Sequence, residues 1–274
     1  MNPASGTDIR RVWVETIMGT EVSVHARGTE VFATLPALDA AVEATFAELH
    51  RADAVFSTYR PDSDISQIRT GAFAIEDADP DVAEVADACA LAEERTNGLF
   101  RANWRGWFDP TGYVKGWAVE RAARRHLARV LSFPGASAVG INAGGDMRLF
   151  TADDSDWVWR VGIADPHHPG ALVATVEVRN GAVATSGTAE RGSHIVDPRT
   201  GGKATRIASA TVVADSLTEA DLWATVAAVS GDDLSWISHA DTRSGVLVAS
   251  DGGVRRWLGA TEISVQPANS FLAA

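Results

Sequence analysis

The chain has 274 residues, 46% of them hydrophobic, and carries 24 Lys and Arg against 36 Asp and Glu for a formal net charge of −12. That length allows one large domain or two small ones, and the acidic balance argues against nucleic acid or an anionic membrane as partner, since both need a basic face. A single cysteine, Cys89, excludes an internal disulfide and a cysteine-based zinc site.

Residues 1–11 read as a disordered N-terminus with no apolar signal-peptide core, residues 12–262 as a single domain and residues 263–274 as a tail. No run is long enough to span a bilayer. A cytoplasmic location is the resulting expectation. Residues 11–26, RVWVETIMGTEVSVHA, alternate in two short segments around Met18-Gly19-Thr20, the pattern of a hairpin or bent strand pair. Leu38, Val42, Phe46 and Leu49 recur at helical spacing, predicting an amphipathic helix over 36–55. A polar loop, Phe56 to Asp64 with Tyr59 at its tip, follows. Asp79-Pro80 opens a second helix and Asn97-Gly98 ends it. Val82, Val85, Cys89 and Ala92 form its buried stripe, so Cys89 reads as an inert core thiol. A third helix is expected from Trp117 to about Leu131.

From residue 138 the pattern turns to strands, at 138–142, 157–164, 172–178, 183–185 and 209–214. A fourth helix begins near Ser216, and a short helix over 234–240 precedes a hairpin of 246–249 and 254–258. Helices and strands do not alternate as βαβ units, which predicts an α+β fold with a mixed sheet.

Several stretches carry chemistry. Thr185-Ser186-Gly187 offers hydroxyls and bare backbone suited to close approach of a phosphate or carbonyl. His194 stands at the expected start of a short strand, and Asp197-Pro198-Arg199-Thr200-Gly201 turns the chain after it. Asp221 and Thr225 project from one helix face. They read either as two oxygen ligands for a hard cation such as Mg2+ or as a capping residue and a back-bonded hydroxyl. Asp109 and Lys115 bracket Gly112 ahead of a helix start, an arrangement suited to an anion. Asn142-Ala143-Gly144-Gly145-Asp146 is a Gly-Gly turn at a strand end, by itself a weak signal.

Taken in order, Met18-Gly19-Thr20, Ser57-Thr58-Tyr59, Asp62-Ser63-Asp64, Asp109-x-x-Gly-x-x-Lys115-Gly116, Asn142-x-Gly-Gly-Asp146, Thr185-Ser186-Gly187, His194-Ile-Val-Asp-Pro-Arg-Thr-Gly201 and Asp221-x-x-x-Thr225 form a set. The set resembles the ApbE family, the FAD:protein FMN transferases, from about residue 12 to 260. The resemblance implies an ApbE-like, T-fold-like architecture. It also implies magnesium-dependent transfer of the FMN moiety of FAD to a threonine hydroxyl of an acceptor flavoprotein, with release of AMP. By motif, Asp221 and Thr225 would hold the metal through side chains and Gly112 through its backbone carbonyl. Met18, Tyr59, Asp109, Lys115 and Ile195 would contact FAD, and Leu99-Phe100-Arg101 would match the family's Gly-x-Phe-Asp segment. Lys115 would also neutralise phosphoryl charge, and His194 would act as the base for the threonine proton or as a phosphate contact. The sequence departs from the family in two places: Arg101 replaces the usual aspartate, and residues 102–108 form a shorter segment than in longer members. The same motifs also admit an FAD pyrophosphatase or a non-catalytic FAD-binding protein.

Overall fold

The computed structural model describes residues 8–187 and 195–263. Chain order begins with β1 (Ile9–Ile17), β2 (Thr20–Gly28), α1 (Glu30–Ala33), α2 (Pro36–Phe56), α3 (Asp64–Thr70), α4 (Pro80–Arg95) and α5 (Thr111–Ala122). It continues with β3 (Ala136–Ala143), β4 (Asp146–Thr151), β5 (Trp159–Ala164), β6 (Leu172–Val178), β7 (Gly181–Gly187), β8 (Ile207–Ala214), α6 (Leu217–Ser230), β9 (Ser244–Ala249), β10 (Val254–Leu258) and β11 (Thr261–Ile263). A nine-stranded sheet runs β1-β2-β3-β4-β7-β8-β9-β10-β11, and β5-β6 forms a separate two-stranded sheet. The α+β class expected from the sequence is the class observed. Where a mixed sheet was expected, every pairing among the described strands is antiparallel.

The sheet is a middle layer. Val24, Ile141, Ala184, Val212 and Leu247 join one apolar cluster with Leu38, Val42 and Phe46 of α2, Trp117 and Ala118 of α5, and Leu222 and Val226 of α6. On the opposite face, Val161 and Val178 of the β5-β6 hairpin pack on Leu149, Val183 and Val213, and Ile163 packs on Val246 and Val248. Both faces of the central strands are thus covered, which is why β8 is buried along its whole length and reads as a continuous apolar run. Beneath α6, Trp223 stacks on Trp236 with ring centroids 5.5 Å apart, and Trp257 meets Trp236 edge-on at 5.3 Å.

Local chemistry explains the element ends. Met18 and Gly19 take φ of 53° and 70° between the paired Ile17 and Thr20, the left-handed geometry of a two-residue hairpin turn. Asp79 caps α4 by accepting from the Asp81 N–H at 3.0 Å. Ser216, not Asp221, caps α6, accepting from the Glu219 N–H at 3.2 Å.

Several elements differ from the sequence expectation. β1 starts at Ile9, inside the stretch expected to be disordered, because it pairs with β2 as far as Gly28. The polar loop after Tyr59 winds into α3, capped by Ser63 on the Ser66 N–H. The third helix starts at Thr111 rather than Trp117, since the Asp109 carboxylate accepts from both the Thr111 N–H at 3.2 Å and its hydroxyl at 2.7 Å. It then passes through a π-helical turn, Ala123–Leu127, and a 3₁₀ turn, Ala128–Ser132. α1, β4 and β11 have no counterpart in the sequence expectation.

Candidate active site

One end of the large sheet carries two glycine hairpin tips side by side. Met18-Gly19 joins β1 to β2, and Gly144-Gly145, with φ of 61° and 99°, joins β3 to β4. The Gly144 N–H donates to the Glu21 carbonyl at 3.0 Å, which pins one tip to the other strand pair. Beside them lie the ends of α2 and β7 and the first turns of α5, and together they enclose a cleft of about 750 Å³.

Lys115 is the hub of the cleft floor. Its ammonium is ion-paired with Asp146, and Asp221 Oδ1 lies 3.4 Å away. The two carboxylate side chains are 2% and 7% exposed. One ammonium between two buried carboxylates leaves an uncompensated negative charge, a costly state inside a protein. Asp146 also accepts from the Thr185 N–H at 3.0 Å, tying β4 to β7. Thr185 meets Thr211 hydroxyl to hydroxyl at 2.9 Å, and Ser186 meets Thr225 at 3.2 Å.

Two helices must approach closely to build this floor. Asp221 Oδ2 accepts from the Gly116 N–H at 3.0 Å, across the α5–α6 contact. A Cβ on Gly116 would stand 2.8 Å from Asp221 Cβ, so only glycine fits here without movement. In a regular helix the Gly116 N–H serves the carbonyl of Gly112; here it also reaches into α6. Farther along the contact, buried Glu120 accepts from the Leu217 N–H at 2.6 Å and pairs with Arg148 Nε at 2.9 Å, fastening α5 to the start of α6 and to β4. Burial lowers the pKa of the Arg148 guanidinium from its ordinary value, and Glu120 works against that shift.

The walls are aromatic and cationic. Tyr59 is 95% exposed at the rim, an unusual position for a large ring and a ready stacking surface. Phe100 packs over Gly112 and lies 6.1 Å from the ring of Tyr113, whose phenol burial pushes up to about 12. Arg101 Nε pairs with Glu93 Oε1 of α4 at 2.8 Å.

The cleft lining gathers Met18, Tyr59, Leu99, Phe100, Arg101, Asp109, Gly112, Lys115, Thr185, Ser186, Gly187, Ile195, Asp221 and Thr225, so every expected site residue but one stands at this single location. The exception, His194, lies outside the described residues. Sequence reasoning left Asp146 out of the candidate set. Its signal was a carboxylate directly after a Gly-Gly turn, but its partners Lys115 and Thr185 are distant in the chain. Trp104 and Arg105 also line the cleft and were not among the candidate site residues.

A profile of the ApbE family matches residues 18–106 and 105–247. The chain belongs to the ApbE family. Among relatives, it is 32% identical over 124 residues to the FAD:protein FMN transferase of Klebsiella pneumoniae (strain 342), covering 42% of this chain and 35% of that one. It is 31% identical over 158 residues to the FAD:protein FMN transferase of Rhodobacter capsulatus, covering 53% and 29%. It therefore spans about a third of the length of the curated relatives it matches. In fold, this ApbE-family chain is similar to the ApbE protein of Thermotoga maritima, with TM-score 0.76, 20% identity and coverage of 90% and 97% of the two chains. It is also similar to the flavin transferase ApbE of Vibrio cholerae, with TM-score 0.73, 18% identity and coverage of 92% and 97%.

Proposed function

We propose that this chain moves the FMN moiety of FAD onto a threonine hydroxyl of an acceptor flavoprotein, releasing AMP, with magnesium as cofactor. The observation that carries the proposal is the convergence of Asp109, Lys115, Thr185 to Gly187, Asp221 and Thr225 on one cleft, with a buried excess of negative charge at Lys115. The name of the matched relatives, FAD:protein FMN transferase, supports the transfer of FMN from FAD to a protein. The proposal places the acceptor in the cytoplasm, as the sequence expectation has it.

The donor set fits magnesium. Among the described residues no three His, Cys, Asp or Glu side chains group to hold a metal. Magnesium does not need such a cage, because it keeps waters and substrate phosphates beside one or two protein carboxylates. Asp221, the Thr225 hydroxyl and the Gly112 carbonyl are all oxygen donors, and the charge excess beside them favours a cation. When bound, the ion would neutralise charge on the phosphoryl oxygens.

The chain's own residues supply the rest. Tyr59 offers a stacking face at the mouth, and the Met18-Gly19 tip and the Thr185 to Gly187 backbone allow close approach. Lys115 places positive charge at the floor, held there by Asp146. In the transfer, the threonine oxygen bonds to the FMN phosphorus as the bond from that phosphorus to the bridging oxygen breaks. AMP departs with that oxygen, and the threonine proton passes to a base, the role proposed for His194.

The test is AMP release from FAD by the purified protein with an acceptor peptide, in magnesium or chelator, with mass spectrometry for FMN on threonine. We expect FMN-threonine in magnesium alone, and a loss of at least about 100-fold in Asp221→Ala. AMP release unchanged by chelator and by Asp221→Ala would refute the metal assignment. Free FMN in place of FMN-threonine would mean hydrolysis.

A further inference from the structure

Three cationic side chains line the cleft among the described residues: Arg101, Arg105 and Lys115. Two are engaged. Lys115 is closely ion-paired with Asp146, and Arg101 pairs with Glu93 at 2.8 Å. Arg105 is placed differently. Its one ion pair is long: Asp109 Oδ2 is 3.5 Å from Nη1, beyond the 2.7–2.9 Å of a charge-assisted hydrogen bond. The other oxygen of Asp109 is occupied by the Thr111 N–H and hydroxyl.

What fixes Arg105 is an aromatic ring. Its guanidinium carbon sits 4.6 Å from the centroid of Trp104. Stacking of this kind orients the planar group and leaves its N–H edge available to a ligand. Half of the Arg105 side chain is exposed. Four carboxylates, Asp53, Asp109, Asp146 and Asp221, line the same cleft, so without a metal ion Lys115 alone does not balance the charge of its floor against a dianionic diphosphate. Trp104 and Arg105 both belong to residues 102–108, the short connection between Arg101 and Asp109.

The geometry points to Arg105, backed by Trp104, as a guanidinium that grips the diphosphate of the bound dinucleotide. This assignment rests on the flavin-dinucleotide reading above. It makes Arg105 a binding residue for the phosphate bridge, distinct from the flavin ring that Tyr59 would meet.

The experiment compares binding of FAD and of riboflavin, which has the ring system but no phosphate, to wild type, Arg105→Gln and Arg105→Lys in chelator. Arg105→Gln should weaken FAD binding roughly 10- to 100-fold and leave riboflavin within about twofold, with Arg105→Lys recovering part of the loss because charge without the planar fork is a poorer match. The FAD affinity of wild type should also fall more steeply with salt than that of Arg105→Gln. Equal losses for FAD and riboflavin would mean that Arg105 only shapes the loop, and no loss for either would remove it from the site; each result overturns the assignment. Wild type that binds neither ligand, in chelator or with magnesium restored, would instead overturn the flavin reading itself, and the assignment with it.

Discussion

Gly116→Ala is a one-carbon perturbation whose two consequences can be weighed against each other. In an exposed helix interior, alanine in place of glycine stabilises by about 1 kcal/mol. Here the added Cβ would lie 2.8 Å from Asp221 Cβ, and 3.0 Å from both Asp221 Oδ2 and the Leu217 carbonyl oxygen. The first distance is about 0.6 Å short of ordinary van der Waals contact. Two of the three opposing atoms belong to a buried side chain and one to helix backbone, so α5 and α6 must part. Overpacking of this kind costs about 1–3 kcal/mol, which exceeds the propensity gain. We expect a net destabilisation of up to about 2 kcal/mol by urea denaturation. Activity should suffer more than stability, because the same displacement breaks the Gly116–Asp221 hydrogen bond and moves Asp221. A misplacement approaching 1 Å costs up to about 100-fold, so AMP release from FAD should fall at least about 10-fold. A variant that gains about 1 kcal/mol and keeps full AMP release would refute the claim that Gly116 sets the helix spacing.

Two further outcomes concern stability and reactivity. The Arg121 guanidinium, with Arg51 beside it, holds the Asp81 carboxyl below its usual range against the opposing effect of burial. A depressed carboxylate contributes stability above its ordinary pKa of about 4 and loses it as pH falls through the folded value. Asp81→Asn should therefore cost about 1–2 kcal/mol at pH 7, and the gap to wild type should close below about pH 4 in urea titrations; a gap that widens there would refute the ion-pair account. Burial pushes the Cys89 thiol up to about 12, and the residue is 3% exposed. Iodoacetamide at pH 8 should leave native protein unlabelled and modify it only as it unfolds, whereas rapid labelling of folded protein would show the helix stripe to be open.

Much of this architecture was legible in the chain because its signals are local. Pro36 and the Leu38, Val42, Phe46 stripe mark α2 without reference to anything distant, as Asp79-Pro80 and Asn97-Gly98 mark α4. The four-residue spacing of Asp221 and Thr225 puts both on one helix face wherever that helix lies. The start of α5 was not legible, because Gly112 and Gly116 look like turn residues. Their reason for being glycine is tertiary: Phe100 covers one and Asp221 meets the other. β4 was hidden by Arg148, a charge that makes sense in a buried strand only once Glu120 of α5 is placed beside it. Asp146 and Arg105 escaped for the same reason. One depends on Lys115 and Thr185 across the fold, and the other on the way residues 102–108 bend back over the cleft.

The tryptophan trio under α6 gives the protein an optical property of its own. Residues two apart on a helix point to nearly opposite sides, so Trp223 reports on the back of the helix whose front carries Asp221. Its ring lies within 10° of parallel to Trp236, with Trp257 close to perpendicular at 82°. Indoles held this closely and in fixed orientation couple their electronic transitions, and that signal disappears from the near-ultraviolet dichroism once side chains lose their fixed packing. The same helix therefore faces the cleft on one side and carries a built-in gauge of its own seating on the other.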